Sequence, residues 1–115
     1  MLIRNSEIWM AYLNTRIESK PVLTRPVLVV QSNMLNNAYH PTTIICPLTA
    51  NIQKDAEILR VNIPLGMTNL KASHDIMIDQ VRTIDNNRFI RKLGDLPEEL
   101  AHQVKQNLSI ILGIT

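Results

Sequence analysis

Short apolar runs separated by polar breaks fill the first two-thirds of the chain. The runs are Glu7–Leu13, Pro26–Gln31, Thr42–Leu48, Ile58–Ile63 and Asp75–Ile84. Their closely spaced Val and Ile residues are typical of β-strands, and the last run alternates almost strictly between apolar and polar positions. The pattern therefore predicts five strands and leaves open which face of the last one is buried.

The breaks between these runs are rich in turn-forming residues. The segments 14–24, 33–41 and 64–73 contain most of the Asn, Pro and Ser residues of this region, which predicts loops there. Residues 87–93 follow the last apolar run and lack a clear period, and we expect one short turn in them.

The last third of the chain carries a helical pattern. Pro97 followed by Glu98 and Glu99 is a helix-start signature, because proline needs no donor in the first turn and acids suit the positive end of the helix. Gly113 is placed to end the helix. Apolar residues recur at helical spacing between them, at Leu100, Val104, Leu108 and Ile111. We interpret this stripe as core packing.

Strands followed by a closing helix indicate an α+β fold rather than a doubly wound one. We expect a small curled antiparallel sheet with helices on its flank, formed by one domain over residues 1–115. No segment approaches the roughly 20 apolar residues that cross a bilayer, and the first residues lack the apolar stretch of a signal peptide. The sequence is that of a protein expected in the cytoplasm.

Charge and composition exclude two ways of binding nucleic acid. The net charge is only +2, without a long block of like charge, so gripping a duplex through its phosphates alone is excluded. The aromatic residues are 3% of the chain, too few for a sheet that stacks successive bases. The small basic excess lies in residues 1–60 and is compatible with a local positive groove.

Familiar catalytic and metal-binding motifs are missing. The single cysteine, Cys46, lies in an apolar run and is interpreted as a buried hydrophobe rather than a nucleophile. His40, His74 and His102 lack the spacing of paired ligands, so no metal site or cofactor is predicted. His102 falls off the helical stripe and is expected to be exposed, whereas His40 and His74 lie in predicted loops, where either can act as acid or base.

Several segments nevertheless resemble one family along nearly the whole chain. Residues 25–33 (RPVLVVQSN), 47–52 (PLTANI) and 79–85 (DQVRTID) closely resemble segments of the MazF/PemK family of toxin endoribonucleases. The opening IRNSEIW is similar to that family's "RRGDIW" start, and residues 108–114 are similar to its last helix. The resemblance implies a small curled antiparallel β-barrel-like sheet with flanking helices and a C-terminal helix, of the CcdB/PemK type, assembled as a homodimer.

The resemblance also implies a function. The chain would be the toxin component of a type II toxin–antitoxin system and a sequence-specific endoribonuclease that cleaves single-stranded RNA without a metal. Attack by the 2′-hydroxyl would leave a 2′,3′-cyclic phosphate and a 5′-hydroxyl. A cognate MazE/PemI-like antitoxin with an acidic, disordered tail would occupy the RNA groove. Two alternatives stay open: a CcdB-like toxin that poisons a protein such as DNA gyrase without cutting RNA, and a degenerate toxin that only binds.

Two catalytic residues carry over from the family. Arg25 matches the Arg of its "RP" motif, and Thr49 matches the Thr of its "ITS/ITA" segment. A guanidinium can hold two oxygens of the charged phosphorane, and a threonine hydroxyl can bond a phosphate oxygen or the 2′-hydroxyl. Without the resemblance, Arg25 is also explained as a surface arginine at the start of a strand. Thr49 is then also explained as a hydroxyl at a strand end that caps a turn.

The loop before Arg25 departs from the family pattern "GSEQxGxRP". All its glycines are lost, Ser19 is kept, and Lys20 replaces an acid. Ser19, Lys20 and Gln80 are the predicted substrate-binding residues, with Lys20 adding a phosphate contact. Ser6 replaces another family glycine, a change expected to close off positive φ there.

Two other residues of the segments that resemble the family are predicted to have a structural role. Arg82 and Asp85, inside the segment 79–85, are expected to form a salt-bridged corner between strand and turn rather than to act on substrate.

Overall fold

The structure, a computed structural model, describes residues 2–14 and 23–114. Its seven strands are β1 (Glu7–Tyr12), β2 (Thr24–Val29), β3 (Thr42–Thr49), β4 (Arg60–Ile63), β5 (His74–Met77), β6 (Arg82–Asp85) and β7 (Phe89–Asp95). The helices are α1 (Asn33–Asn37) and α2 (Glu98–Ile111), and single 3₁₀ turns lie at Glu57–Leu59, Ile78–Gln80 and Asn86–Arg88. The strands form one antiparallel sheet in the order β4-β5-β3-β2-β1-β7, with β6 also paired to β3. The sheet is open, and the predicted α+β class is confirmed.

Each face of the sheet carries its own apolar cluster. The cluster under α2 includes Ile8, Leu28, Cys46, Leu48, Val61, Ile63, Ile76, Ile78 and, from α2 itself, Ala101 and Val104. The cluster on the other face includes Ile3, Trp9, Ala11, Val27, Val29, Ile45, Ile84 and Phe89. The helical stripe packs on the first cluster, so its interpretation as core packing is confirmed.

Strand β3 is the centre of the sheet. One edge pairs with β2, and the other is shared by β6, along residues 42–45, and β5, at residues 48–49. The register changes between these two partners: Leu48 pairs with Ile76, but Ile45 pairs with Arg82, where an unbroken ladder would reach Asp79. The 3₁₀ turn at Ile78–Gln80 takes up these three residues.

The prediction of one strand over residues 75–84 is therefore wrong. Side chains alternate with a period of two, so an odd shift moves later residues to the opposite face. Ile76 and Ile78 pack under α2, whereas Ile84 packs on the other cluster. The turn lets one alternating sequence contribute to both cores, which also resolves the open question of its buried face.

Two further predictions, for residues 33–37 and 89–95, are wrong. Residues 33–37 form a helix rather than a loop, capped by the Ser32 hydroxyl, which accepts from the Met34 N–H at 3.1 Å. Residues 89–95 form β7 rather than a turn. Its sequence FIRKLGD lacks the alternation of a strand. It is held by pairing with β1 and by the Phe89 ring, which meets Trp9 edge-on with centroids 5.6 Å apart.

The ends of α2 match the sequence pattern. The helix begins directly after Pro97, and its end is closed by N–H bonds from Gly113 to Ile110 O and from Ile114 to Ser109 O. Gly113 has φ +70°, which glycine adopts without strain. No helix within residues 2–14 and 23–114 combines the length and apolar character needed to span a membrane.

Ser6 departs from its expected conformation. It has φ +70°, so the loss of glycine does not close off positive φ. Its hydroxyl donates to the Asn5 side chain at 2.8 Å, and its N–H and C=O bond Val29 O and Leu96 N. These bonds hold a conformation that ordinary residues rarely adopt.

The two neighbours Ile44 and Ile45 on β3 allow a matched test of core packing. Ile45 is fully buried, whereas Ile44 is 37% exposed. We expect Ile45→Ala to lower the free energy of unfolding by about 2–5 kcal/mol, because the truncation leaves a cavity in the core. Ile44→Ala should cost clearly less in the same denaturant titration at the same protein concentration. Equal losses would contradict the assigned faces of β3.

Candidate active site

An open cavity of about 280 Å³ lies on the sheet face opposite α2. The residues that line it are Leu13, Leu23, Arg25, Pro47, Gln53, Leu59, Arg60, Met77, Asp79, Gln80 and Arg82. Three of them are arginines and one is an acid. We call it the arginine-lined cavity. It brings together Arg25 and Gln80, which the sequence predicted as site residues far apart in the chain.

Arg25 lies near the start of β2. A residue before proline is held in extended backbone, and alternation along β2 puts Arg25 on the same face as the buried Val27 and Val29. Its side chain is half-buried, and it makes no hydrogen bond or ion pair with any residue in the described part of the chain. The guanidinium donors are therefore available to an anion in the cavity.

Thr49 is the last residue of β3. In the antiparallel register of β2 and β3, Val27 pairs with Pro47. Extending this register by two residues, back along β2 and forward along β3, places Arg25 opposite Thr49. Thr49 is half-buried and is not among the lining residues of the cavity. Its hydroxyl oxygen accepts from the Asn51 N–H at 3.1 Å, as in a turn cap, which leaves the hydroxyl proton free to be donated.

The 3₁₀ turn between β5 and β6 supplies the polar side of the cavity. Asp79 and Gln80 are exposed on this turn, and Arg82 follows at the start of β6. The expected Arg82–Asp85 ion pair is wrong: neither residue takes part in an ion pair among the described residues. Asp85 lies at the far end of β6, opposite Thr42, whereas Arg82 lines the cavity.

Ser19 and Lys20 lie outside the described residues. The described residues on either side of that segment, Leu13 and Leu23, both line the cavity. The Leu13 N–H donates to Leu23 O at 2.9 Å, so the chain leaves and re-enters the described structure at the cavity wall.

Arg60 is a cavity residue that the sequence did not single out. Its Nη1 donates to the Asp75 carboxylate at 3.2 Å and to Asn51 O at 3.2 Å. Arg60 and Asp75 form a largely buried ion pair on neighbouring strands. Their positions in the sequence did not indicate this ion pair, because β4 and β5 become neighbours only in the folded sheet.

Comparison with known proteins identifies the family. The sequence profile of the PemK-like, MazF-like toxins of type II toxin–antitoxin systems matches residues 4–112. The chain belongs to this toxin family. It is 32% identical to endoribonuclease EndoA of Bacillus subtilis over 114 residues, which is 99% of this chain and 97% of EndoA. It is 30% identical to endoribonuclease MazF of Staphylococcus saprophyticus, covering 98% of this chain and 93% of that one.

The fold is shared with solved structures of the same family. MazF in a MazE–MazF crystal structure from Deinococcus radiodurans superposes with a TM-score of 0.81, covering 100% of this chain and 99% of that chain at 17% identity. The predicted resemblance to the MazF/PemK family, and the fold it implied, are thus confirmed.

In this member of the PemK/MazF family, the histidines lie apart from the arginine-lined cavity. His102 is exposed on α2, as expected. His40 lies in the loop before β3, and His74 begins β5 instead of lying in a loop; neither lines the cavity. Within residues 2–14 and 23–114 no three His, Cys, Asp or Glu side chains are grouped so that they could hold a metal ion.

Cys46 is buried under α2, as predicted. Burial, together with the negative charge of Asp79, raises the pKa of its thiol to about 12. A thiol is a poor nucleophile, since the thiolate is the reactive form.

We expect Cys46 of the native protein to resist a thiol-specific disulfide reagent at about pH 8, because the thiolate is scarce and the side chain is covered. Unfolding in guanidinium chloride should restore one reactive thiol per chain, which serves as the control in the same spectrophotometric assay. Rapid stoichiometric reaction of the folded protein would contradict the assignment.

Proposed function

We propose that this family member is the toxin of a type II toxin–antitoxin pair and cleaves single-stranded RNA in the arginine-lined cavity. The observation that carries the proposal is the half-buried Arg25, which lines the same cavity as Arg82 and Gln80 and has no partner within residues 2–14 and 23–114. The two relatives named as endoribonucleases support the reaction type over nearly the full length of the chain. The cavity is open to solvent, so an RNA phosphate can reach the arginines that line it.

The proposed reaction uses a nucleophile already present in the substrate. The 2′-oxygen loses its proton to solvent and bonds to the adjacent phosphorus, and the bond from phosphorus to the 5′-oxygen breaks. The leaving 5′-oxygen takes up a proton. The products are a 2′,3′-cyclic phosphate and a 5′-hydroxyl end. Holding the 2′-oxygen in line with the leaving group supplies much of the rate, and no cofactor enters the proposal.

Arg25 is the proposed electrostatic catalyst. Negative charge grows on the non-bridging oxygens as the phosphorane forms, and a planar guanidinium can bond two of them at once. Because Arg25 has no partner to give up within residues 2–14 and 23–114, its donors face no such competition when the phosphate arrives. Such preorganisation costs little at the moment of reaction.

Thr49 is the second proposed catalytic residue. Its hydroxyl oxygen is fixed by the Asn51 N–H, and its proton can be donated to a non-bridging oxygen or to the 2′-oxygen. The β2–β3 register supports a place for Thr49 near Arg25.

Substrate binding is proposed for Ser19, Lys20 and Gln80. Gln80 offers both amide donors and a carbonyl acceptor at the cavity and can read a base edge. Ser19 and Lys20 belong to a segment flanked by the cavity residues Leu13 and Leu23. A lysine there would add a phosphate contact. Arg82 joins this set as an exposed cavity cation.

The same surface suits the proposed protein partner. Family membership implies a cognate antitoxin, and the D. radiodurans relative is solved together with MazE. An acidic antitoxin segment would compete with RNA for the arginines of the cavity. We also propose that residues 1–115 are a single toxin domain, that two copies form a homodimer, and that the protein acts in the cytoplasm.

The alternative of a CcdB-like toxin that poisons DNA gyrase is not favoured. The curated relatives are named endoribonucleases, and an arginine that lines a cavity without a partner in the described part of the chain has a clearer use in phosphate chemistry than in protein binding. Mapping RNA ends after incubation with the protein separates the two, since only a nuclease yields new 5′-hydroxyl ends.

Replacing Arg25 tests the proposed reaction. We expect Arg25→Ala to lower kcat/KM for a long single-stranded RNA by about 10³-fold in EDTA, because the growing phosphorane charge loses its donor. Cleavage is measured by mapping 5′-hydroxyl ends, and folding by circular dichroism.

The matched control is Arg91→Ala, which removes an exposed arginine of β7 that does not line the cavity. This variant should cleave like the wild type. Full activity of Arg25→Ala, or a strict requirement for Mg²⁺, would refute the mechanism.

Arg82 is expected to act in binding more than in chemistry. Arg82→Ala should weaken binding of a single-stranded oligonucleotide that lacks the attacking 2′-hydroxyl by about 10-fold and flatten its salt dependence by about one phosphate contact. Fluorescence anisotropy across a salt series measures both, with Arg91→Ala as reference. Unchanged affinity would exclude Arg82 from the substrate groove.

A further inference from the structure

Asp75 is a buried carboxylate that the proposed reaction does not use. It lies on β5 and is 1% exposed, with Thr49 of β3 as its partner on one side and Asn62 of β4 on the other. A buried carboxylate is costly unless its oxygens are bonded. Asp75 Oδ1 accepts from Asn62 Nδ2 at 3.0 Å, and Oδ2 accepts from Arg60 Nη1 at 3.2 Å and the Gln53 N–H at 2.9 Å.

These bonds reach the turn that follows Thr49. Asp75 holds the Gln53 N–H, and its partner Arg60 holds Asn51 O at 3.2 Å. The Asn51 N–H is the donor that fixes the Thr49 hydroxyl at 3.1 Å. The turn at residues 50–53 is otherwise largely exposed, so the buried pair ties a surface turn to the middle of the sheet.

We propose that Asp75, acting through Arg60 and the turn at residues 50–53, is a positioning residue that orients the Thr49 hydroxyl for RNA cleavage. The inference rests on the proposed function and deepens it. Asp75 does not touch the substrate: it is covered on β5 and does not line the arginine-lined cavity, whereas its partner Arg60 does. Its effect is transmitted by two backbone groups of one short turn.

The pair also sets the charge of the cavity wall. Arg60 is held by its ion pair, so its guanidinium is fixed and partly neutralised, whereas Arg25 and Arg82 have no ion-pair partner among the described residues. The phosphate is thereby directed to Arg25 and Arg82.

A double-mutant cycle of Asp75 and Thr49 tests the inference. Asp75→Asn puts an amide donor where one carboxylate oxygen accepted, and it removes the negative charge that strengthens the bonds from Arg60 and the Gln53 N–H. We expect kcat in EDTA to fall about 10–100-fold while KM changes little, because misplacing a group by about 1 Å is enough for such a loss. Thr49→Val removes the hydroxyl and keeps the shape.

In the double variant Asp75→Asn/Thr49→Val, the loss in single-turnover rate should match that of Thr49→Val alone within about threefold. Multiplication of the two losses would overturn the inference, since Asp75 would then act independently of Thr49. Asp55→Asn is the matched control: it makes the same change in an exposed residue two positions beyond Gln53 and should behave like the wild type.

Amide hydrogen exchange gives a readout that does not depend on cleavage. The Asn51 and Gln53 amides should be protected in the wild type and exchange faster in Asp75→Asn, with Asp55→Asn unchanged. Unchanged protection in Asp75→Asn would overturn the inference. If Asp75→Asn does not fold, Arg60→Gln replaces it in the double-mutant cycle. Only kcat is then compared, because Arg60 lines the cavity and its loss also changes substrate binding. Failure of the folded wild type to cut RNA at all would instead refute the proposed function.

Discussion

The change of register along β3 is the constraint on which the rest of the structure depends. One edge of this strand serves two partners that are out of step by three residues. The extra residues leave the sheet as the turn Ile78–Gln80. This turn lets one alternating sequence supply apolar residues to both faces, and it carries Asp79 and Gln80 to the arginine-lined cavity. Packing and the candidate site therefore share one origin.

The charge of the arginine-lined cavity depends on which arginines have an ion-pair partner rather than on the net charge of the chain. The net charge of +2 is small, yet three arginines from β2, β4 and β6 meet at one cavity. Arg60 is neutralised by the buried Asp75, and Arg25 and Arg82 have no protein partner in the described part of the chain. Two such guanidinium groups in one cavity suffice for holding one phosphate. The basic residues of the N-terminal half, which predicted a local positive groove, supply Arg25 and Arg60, whereas Arg82 comes from the other half of the chain.

Predictions from the sequence were correct where a strong local pattern determined the structure. They were wrong or missing where contacts with residues far apart in the sequence determined it. Strands rich in Val and Ile, the helix start at Pro97 and the buried Cys46 were all predictable. The strand β7 was missed because its residues have no strand pattern of their own and are held by β1 and by Trp9. Arg82 was given a structural role because sequence neighbours in an alternating run look like natural partners, whereas the sheet directs it to the cavity. Asp75 was missed because its donors come from β4 and from the turn after β3.

The sequence by itself determined the class of fold, the family and two of the residues proposed for catalysis, because these depend on short segments read in order. Only the tertiary structure decided which cations are paired, which face each strand buries and which side chains line a common cavity. The reason is geometric. Pairing across a sheet brings residues together that are tens of positions apart, and a shift of a single register step changes the face on which every later side chain lies.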